Sequence, residues 1–137
     1  MSQENVDIIR GMYDAFARGD VPAVLAVLDS DIEWREAENF LYADRNPYIG
    51  PSAVLEGVFA RLGTEWEGFA ATPDSCLDAG DTVVAQGHYS GVYKGSGRPV
   101  RAQFAHILTM RGGKVIRFQQ YTDTRQFADA AAQPNRD

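Results

Sequence analysis

The chain reads as an α+β domain, with helices first and an antiparallel sheet afterwards. Two patterns predict this. Up to Gly63 apolar residues recur at three- and four-residue steps, and from Trp66 to Thr122 the pattern becomes strand-like runs separated by turns rich in glycine. A third observation sets the domain count at one: the 137 residues, 45% of them hydrophobic, contain no internal repeat, low-complexity tract or linker. A chain of this size buries roughly two-thirds of its unfolded surface around a single core. The domain is expected to span 1–137, with 132–137 a flexible polar tail.

In the first helix, from Gln3 to Arg18, Val6, Ile9, Tyr13, Phe16 and Ala17 share one face. Gly19 suits a left-handed stop. Asp20 is placed to cap a second short helix whose Pro22 sits in the first turn, where a missing N–H does no harm. The Asp29-Ser30-Asp31 cluster is expected to break that helix before a strand, Ile32 to Glu36, that carries Ile32, Trp34 and Glu36 on one side. The stretch from Ala37 to Gly50 is irregular yet holds Phe40, Leu41, Tyr42 and Tyr48, which suits a lid or a pocket wall. Gly50-Pro51-Ser52 opens a third helix with Val54, Leu55, Val58, Phe59 and Leu62 on its buried stripe and Gly63 at its end. A strand pair bent at Pro73 then covers Trp66 to Ala79, and a long strand covers Thr82 to Tyr93. After a turn at Lys94 to Arg98, a hairpin about Gly112-Gly113 completes the sheet, and a short helix runs from Thr124 to Ala132.

Charge and composition exclude several functions. With 13 Lys+Arg against 19 Asp+Glu the net charge is -6, spread without long blocks, so nucleic acid is a poor partner by simple repulsion. Cys76 is the one cysteine and the other soft ligands are His88 and His106, which supports neither a disulfide scaffold nor a zinc cluster; no metal and no cofactor are expected. The start of the chain lacks the basic residues and apolar run of a signal peptide, and no apolar segment approaches membrane-spanning length. A cytoplasmic protein without a membrane partner is expected.

Turn chemistry predicts which side chains share a face. A two-residue loop at Gly112-Gly113 sets Arg111 opposite Lys114, His106 opposite Gln119 and Phe104 opposite Tyr121. His106, Gln119, Tyr121 and Asp123 then lie on one face with Phe104, Leu108, Met110 and Val115. A four-residue turn at Gly95 to Arg98 places Tyr89 beside Phe104 and Gly87 beside His106, the glycine leaving room next to the imidazole. The opposite face carries Arg101, Gln103, Ala105, Ile107, Thr109, Ile116, Phe118, Gln120 and Thr122, with His88 on the same side. The first face is expected to meet the helices and a ligand. The second, with Ile107, Ile116 and Phe118, is more apolar than suits a monomer and is expected to form a homodimer.

Aromatics around a few ionisable groups match the make-up of a small-molecule pocket. Here Trp34, Phe40, Tyr48, Tyr89, Phe104 and Tyr121, with Gln119, are the candidate binding residues, and Asp123, His106 and Glu36 the candidate catalytic groups. Each of the three also has a structural reading. Asp123 sits where it caps the last helix, His106 suits a core histidine bonded by Gln119, and Glu36 suits a solvated position at the pocket mouth.

The order of elements, together with Phe16-Ala17-Arg18-Gly19-Asp20, Trp34 to Glu36, Tyr48-Ile49-Gly50-Pro51, Gly113-Lys114-Val115 and Tyr121-Thr122-Asp123-Thr124, resembles the NTF2-like (cystatin-like) superfamily of cone-shaped α+β domains. Within it the chain looks like the branch of SnoaL-like polyketide cyclases and proteins related to ketosteroid isomerase. The resemblance spans nearly the whole chain and implies a cone with a pocket inside. It also implies two candidate bases. The aspartate that ends the last strand of the cyclases matches Asp123. The steroid-isomerase carboxylate, sixteen residues beyond the Gly-Asp of the first interhelix turn, matches Glu36 when counted from Asp20. The isomerases' oxyanion tyrosine on the first helix matches Met12, with Tyr13 next to it. The limonene-epoxide-hydrolase branch needs an Asp-Arg-Asp relay, whereas Arg101 falls on the other face and no aspartate precedes it on its strand.

The activity these residues imply is cofactor-independent acid-base catalysis, of isomerase, cyclase or dehydratase type, on a small, largely apolar carbonyl compound. A carboxylate, Asp123 or Glu36, takes a proton while His106 or a tyrosine hydroxyl stabilises the enolate. The alternatives are a non-catalytic small-molecule-binding module and an epoxide hydrolase of the limonene-epoxide-hydrolase type, because this fold hosts many functions.

Overall fold

The apolar period of the N-terminal segment becomes α1 (Ser2–Ala17) in the computed structural model, which describes residues 2–132. The tail expected beyond Ala132 lies outside the described residues. Val6, Ile9, Met12, Tyr13 and Ala15 form the buried face of α1, which packs on β3 (Trp66–Ala79) and β4 (Thr82–Tyr93). Asp20 accepts from the Ala23 amide at 3.2 Å and so caps α2 (Val21–Leu25), with Pro22 in its first turn.

The remaining strands are β1 (Leu28–Arg35), the short β2 (Tyr48–Ile49), β5 (Pro99–Arg111) and β6 (Lys114–Thr122). They form one six-stranded sheet in the order β2-β1-β6-β5-β4-β3, with only the β1–β6 pair parallel. β1 begins earlier than the sequence suggests. Asp29-Ser30-Asp31 lies within the strand instead of ahead of it, and Glu36 directly follows the strand's end. Between β2 and β3, α3 (Pro51–Val54), a π-helical turn (Leu55–Phe59) and α4 (Ala60–Glu65) run on without a break. The wide π turn rotates the stripe, so that Gly57 and Val58 are buried while Leu55, expected inside, is exposed. The short α5 (Thr124–Ala131) closes the sheet end with Phe127.

Register decides which residues face the helices. Next to the Gly112-Gly113 turn the pairs are as expected, Arg111 with Lys114 and Met110 with Val115. Beyond them a bulge at Ile116 shifts β6 by one residue, so Leu108 pairs with Phe118, His106 with Gln120 and Phe104 with Thr122. A shift of one residue exchanges the faces of a strand. Phe118 and Gln120, expected outside, are therefore buried inside, while Tyr121, expected inside, is 56% exposed. Between β4 and β5 the displacement is two residues: Ala85 pairs with His106 and Gly87 with Phe104. An even shift keeps the faces, so Tyr89 and His106 remain inside as expected. The role of Gly87 differs. It faces the bend at Pro73, where a Cβ would stand 2.0 Å from the Thr72 carbonyl oxygen, so the glycine permits close backbone approach and does not make room for the imidazole.

Candidate active site

Between the helices and the inner face of the sheet lies a cavity of about 60 Å³ that opens to solvent. Met12, Tyr13 and Phe16 line it from α1, and Val58, Phe59 and Leu62 from the π turn and α4. Trp34, Tyr89, His106, Phe118 and Gln120 line it from the sheet, with Glu36 and Phe40 at the start of the loop that follows β1. The walls are mostly aromatic. The Trp34 and Phe118 rings stack at 3.6 Å between centroids, and Phe104 stacks on the His106 imidazole at 4.1 Å.

A chain of hydrogen bonds runs along the inner face. Both nitrogens of His106 are engaged, Nδ1 with the Tyr13 hydroxyl and Nε2 with the Tyr89 hydroxyl. Gln120 Nε2 donates to the Tyr89 hydroxyl at 2.9 Å, and Gln120 Oε1 accepts from the Ala37 amide at 3.0 Å. Burial pushes the His106 pKa down to about 3, so the ring is neutral at physiological pH. Burial also raises both tyrosine hydroxyls well above their ordinary value, helped at Tyr89 by the charge of Glu36.

Glu36 is the other polar group of the cavity. It is 3% exposed, and its Oε2 accepts from the Trp34 indole N–H at 3.2 Å. Desolvation raises its pKa to about 8, against the lowering effects of the Trp34 hydrogen bond and the more distant Arg61 charge. Asn46 fixes its backbone: the Glu36 amide donates to Asn46 Oδ1 at 2.9 Å, and Asn46 Nδ2 donates to the Glu36 carbonyl at 2.8 Å. The pairing of a hydrophobic wall with one high-pKa carboxyl is an arrangement suited to a general base.

The loop from Ala37 to Gly50 covers this corner and is pinned by Arg61 of α4. Its guanidinium holds Asp44 at 2.9 and 3.1 Å, donates to the Tyr48 hydroxyl at 2.7 Å and sits 4.4 Å from the centre of the Tyr42 ring. Tyr48 packs against Gly57, where a Cβ would fall 2.1 Å from its ring, and donates to the Tyr42 carbonyl at 2.6 Å. Phe40 lines the cavity as expected, but Tyr48 belongs to this clamp.

The structure brings Glu36, His106, Trp34, Phe40 and Tyr89 to the cavity. Phe104 is buried behind His106 and supports the imidazole without lining the space. Gln119 and Tyr121 do not reach it, because beyond the Ile116 bulge the odd-numbered residues of β6 face outward, and Asp123 lies past the strand's end at the start of α5. Gln119 and Tyr121 instead border an outer groove on the far side of Glu36. Asp123 is exposed at the N-cap position of α5, where it accepts from Gln126 Nε2 at 2.9 Å; that bond first of all holds its carboxyl below the usual range. Tyr13 and Gln120 were missed as site residues. The available signal for Tyr13 was a phenol on the apolar face of α1, since a buried hydroxyl needs a partner. For Gln120 only the bulge reveals the face. Among the described residues no three His, Cys, Asp or Glu side chains are grouped to hold a metal ion.

The curved sheet, the helices on its inner face and the chamber between them define an NTF2-like α+β domain. The chain belongs to the SnoaL-like domain family, whose family model matches residues 9–118. It is similar in structure to an NTF2-like protein from Burkholderia thailandensis, with 37% identity over 95% of this chain and 98% of that one and a TM-score of 0.89. An NTF2-like protein from Burkholderia xenovorans gives 27% identity over 96% and 98% of the two chains, with a TM-score of 0.82. TerC, co-crystallised with polyporic acid, gives 26% identity over 93% and 97%, with a TM-score of 0.81. No curated protein matches the chain.

Proposed function

We propose that the cavity catalyses cofactor-independent proton transfer on a small, largely apolar carbonyl compound, in an isomerisation, cyclisation or dehydration. The observation that carries this reading is the placing of one buried carboxyl, Glu36, and one tyrosine-histidine-tyrosine chain on the walls of the same aromatic chamber. Glu36, as the carboxylate, takes a proton from the carbon next to the carbonyl. The electron pair moves to the carbonyl oxygen, where a hydroxyl donor holds the enolate, and the proton returns to carbon at the original or a conjugated position. Desolvation makes the carboxylate a stronger base than an exposed glutamate. His106 is neutral with both nitrogens occupied, so it supports the donor and does not itself exchange protons with substrate. Asp123, the alternative base, stands outside the chamber.

The test is α-deuteration of a bicyclic ketone such as 2-decalone in D₂O, followed by NMR. The wild type is expected to exchange, and Glu36→Gln to lose about 10²- to 10⁴-fold of the rate. Exchange by Glu36→Gln at the wild-type rate would overturn the reading.

A second reading, a binding module without catalysis, is favoured by the complete pairing of buried polar side-chain atoms among the described residues. It predicts a ligand that raises the melting temperature and is recovered unchanged and undeuterated. The ligand-bound state of TerC supports a ligand in the cone under either reading. The epoxide-hydrolase alternative is not supported: among the described residues the cavity lining includes neither arginine nor aspartate, and Arg101 is exposed.

The same proposal includes a cytoplasmic homodimer formed through the outer sheet face. Among the described residues no helix is long and apolar enough to cross a membrane. Phe118 is inside and adds nothing to that face, but Leu77 and Tyr121 are 49% and 56% exposed and Ile107 and Ile116 only half-buried. Sedimentation at micromolar concentration is expected to give a dimer mass; a monomer mass would remove this part.

A further inference from the structure

The chain through His106 has a direction, and the direction follows from counting hydrogens. The Ala37 amide can only donate, so the Gln120 atom it meets is the carbonyl oxygen and the Gln120 atom facing Tyr89 is the NH₂ group. Tyr89 therefore accepts at its oxygen and retains its own hydrogen to donate. Neutral His106 offers one N–H and one lone pair. Two tyrosine hydroxyls and one imidazole N–H supply three hydrogens to two hydrogen bonds, and one hydrogen is left over.

If His106 carries its proton on Nδ1, every link points the same way: Ala37 to Gln120, to Tyr89, to His106, to Tyr13. The spare hydrogen is then on Tyr13, whose side chain lines the cavity. If the proton is on Nε2, two donors converge on the Tyr89 oxygen and the spare hydrogen is on Tyr89, which also lines the cavity, so the links no longer run head to tail. Each arrangement leaves one hydroxyl hydrogen for the ligand, and the head-to-tail one, in which the links polarise one another favourably, leaves it on Tyr13.

We infer that Gln120 is a positioning residue that sets the direction of this chain, so that the Tyr13 hydroxyl donates to an acceptor oxygen of the ligand, a carbonyl or the enolate formed from it. Tyr13 is the group that touches the ligand, while Gln120, Tyr89 and His106 act through it. The ligand class rests on the function proposed above; the direction of the chain does not. A ligand whose polar group can only donate, such as an ammonium, leaves the spare Tyr13 hydrogen without an acceptor in this arrangement.

The experiment is nitrogen-15 NMR of the imidazoles in the intact chain, with His88→Gln used to assign the two histidines, since His88 is on the outer face and pairs with Asp74. His106 is expected as the neutral Nδ1–H tautomer from about pH 5 to 9. An Nε2–H tautomer in the wild type would overturn the inference. Gln120→Met removes the donor that orients Tyr89 and is expected to give a mixture of tautomers; an unchanged Nδ1–H tautomer in the folded variant would also overturn it. If that variant does not fold, the wild-type tautomer still decides. Titration with 2-decalone supplies the ligand arm: Tyr13→Phe is expected to bind it about tenfold more weakly, the worth of one hydrogen bond. Equal affinity in Tyr13→Phe would overturn the assignment of Tyr13. An Nδ1–H tautomer without any deuteration of the ketone would retire the catalytic proposal and leave the chain's direction standing.

Discussion

Trp34 and Glu36 stand two residues apart at the end of β1, and the indole N–H of the first donates to Oε2 of the second at 3.2 Å. This bond is the largest influence opposing the desolvation of Glu36, whose pKa burial raises to about 8. If the carboxylate is the base, kcat/KM for α-deuteration should rise with pH to a plateau above about 8, because the free enzyme must first lose the proton. Replacing the indole donor in Trp34→Phe should move the midpoint to higher pH. A pH-independent profile from pH 5 to 9 would contradict the assignment.

Stability should carry the same signature. The folded pKa of Glu36 lies above its ordinary 4.5, so the folded state holds a proton that the unfolded state has released. Its contribution is fully present below about pH 4.5 and is lost as pH rises through about 8. His106 works in the opposite sense. Its folded pKa of about 3 lies below 6.5, so its contribution is present above 6.5 and is lost as pH falls toward 3. From these two groups alone, stability should be level between about 4.5 and 6.5 and fall on either side. Urea unfolding of wild type and Glu36→Gln at pH 6 and 9 checks this: the wild type should lose more on going to pH 9, by an amount on the order of a few kcal/mol.

Gly57 should not tolerate a methyl group. An added Cβ falls 2.1 Å from the Tyr48 ring, which is itself tied to Tyr42 and Arg61. Gly57→Ala should lose about 1–3 kcal/mol of stability in urea unfolding, the usual cost of overpacking. Gly63→Ala is the contrast, with open space around the new methyl and an expected change of about 0.5 kcal/mol or less.

Arg61 should matter more to the loop than to global stability. Its partner Asp44 is 55% exposed, so the ion pair alone contributes little. Arg61→Met should change stability by about 1 kcal/mol or less, yet hydrogen exchange of amides between Phe40 and Tyr48 should quicken. Unchanged protection there would show that the loop is held by its aromatic packing instead.

Asp123→Asn is expected to keep α-deuteration within about twofold of wild type, because the side chain lies on the surface at the start of α5. A loss comparable to that of Glu36→Gln would restore Asp123 as the base.

What the sequence revealed about the site depended on parity. His106 and Tyr89 are legible because the pairing across the turn at Lys94 to Arg98 differs from a four-residue loop by two residues, a shift that leaves every side chain on its face. Gln119, Tyr121 and Asp123 were misplaced because a bulge at Ile116 is a one-residue event that turn rules do not register. Glu36 was legible only through the resemblance that counted from Asp20; local pattern placed it on the side of Trp34 without saying whether that end of the strand was wet. Tyr13 was visible as part of an apolar helix face, but its partner is 93 residues away in sequence, a distance over which local pattern carries no information. The order of the long helices and strands is legible because it rests on periodicity and turn residues, whereas the two-residue β2, inside a stretch that reads as irregular, is too short to show a period.

The Ile116 bulge therefore works as a switch between two wallpapers. Upstream of it β6 obeys the turn, downstream it obeys the chamber, and the two demands differ by half a pleat. Deleting Ile116 would leave composition, charge and hydrophobic content almost untouched. It would also leave Phe118 opposite Leu108 and Gln120 opposite His106, because the residue removed is the bulge itself; ironing the bulge flat with Ile116 retained would instead present Gln119 and Tyr121 to the interior and turn the back wall of the chamber inside out. The back wall of the chamber therefore depends on where the surplus residue of β6 is looped out, not on how many residues the strand has.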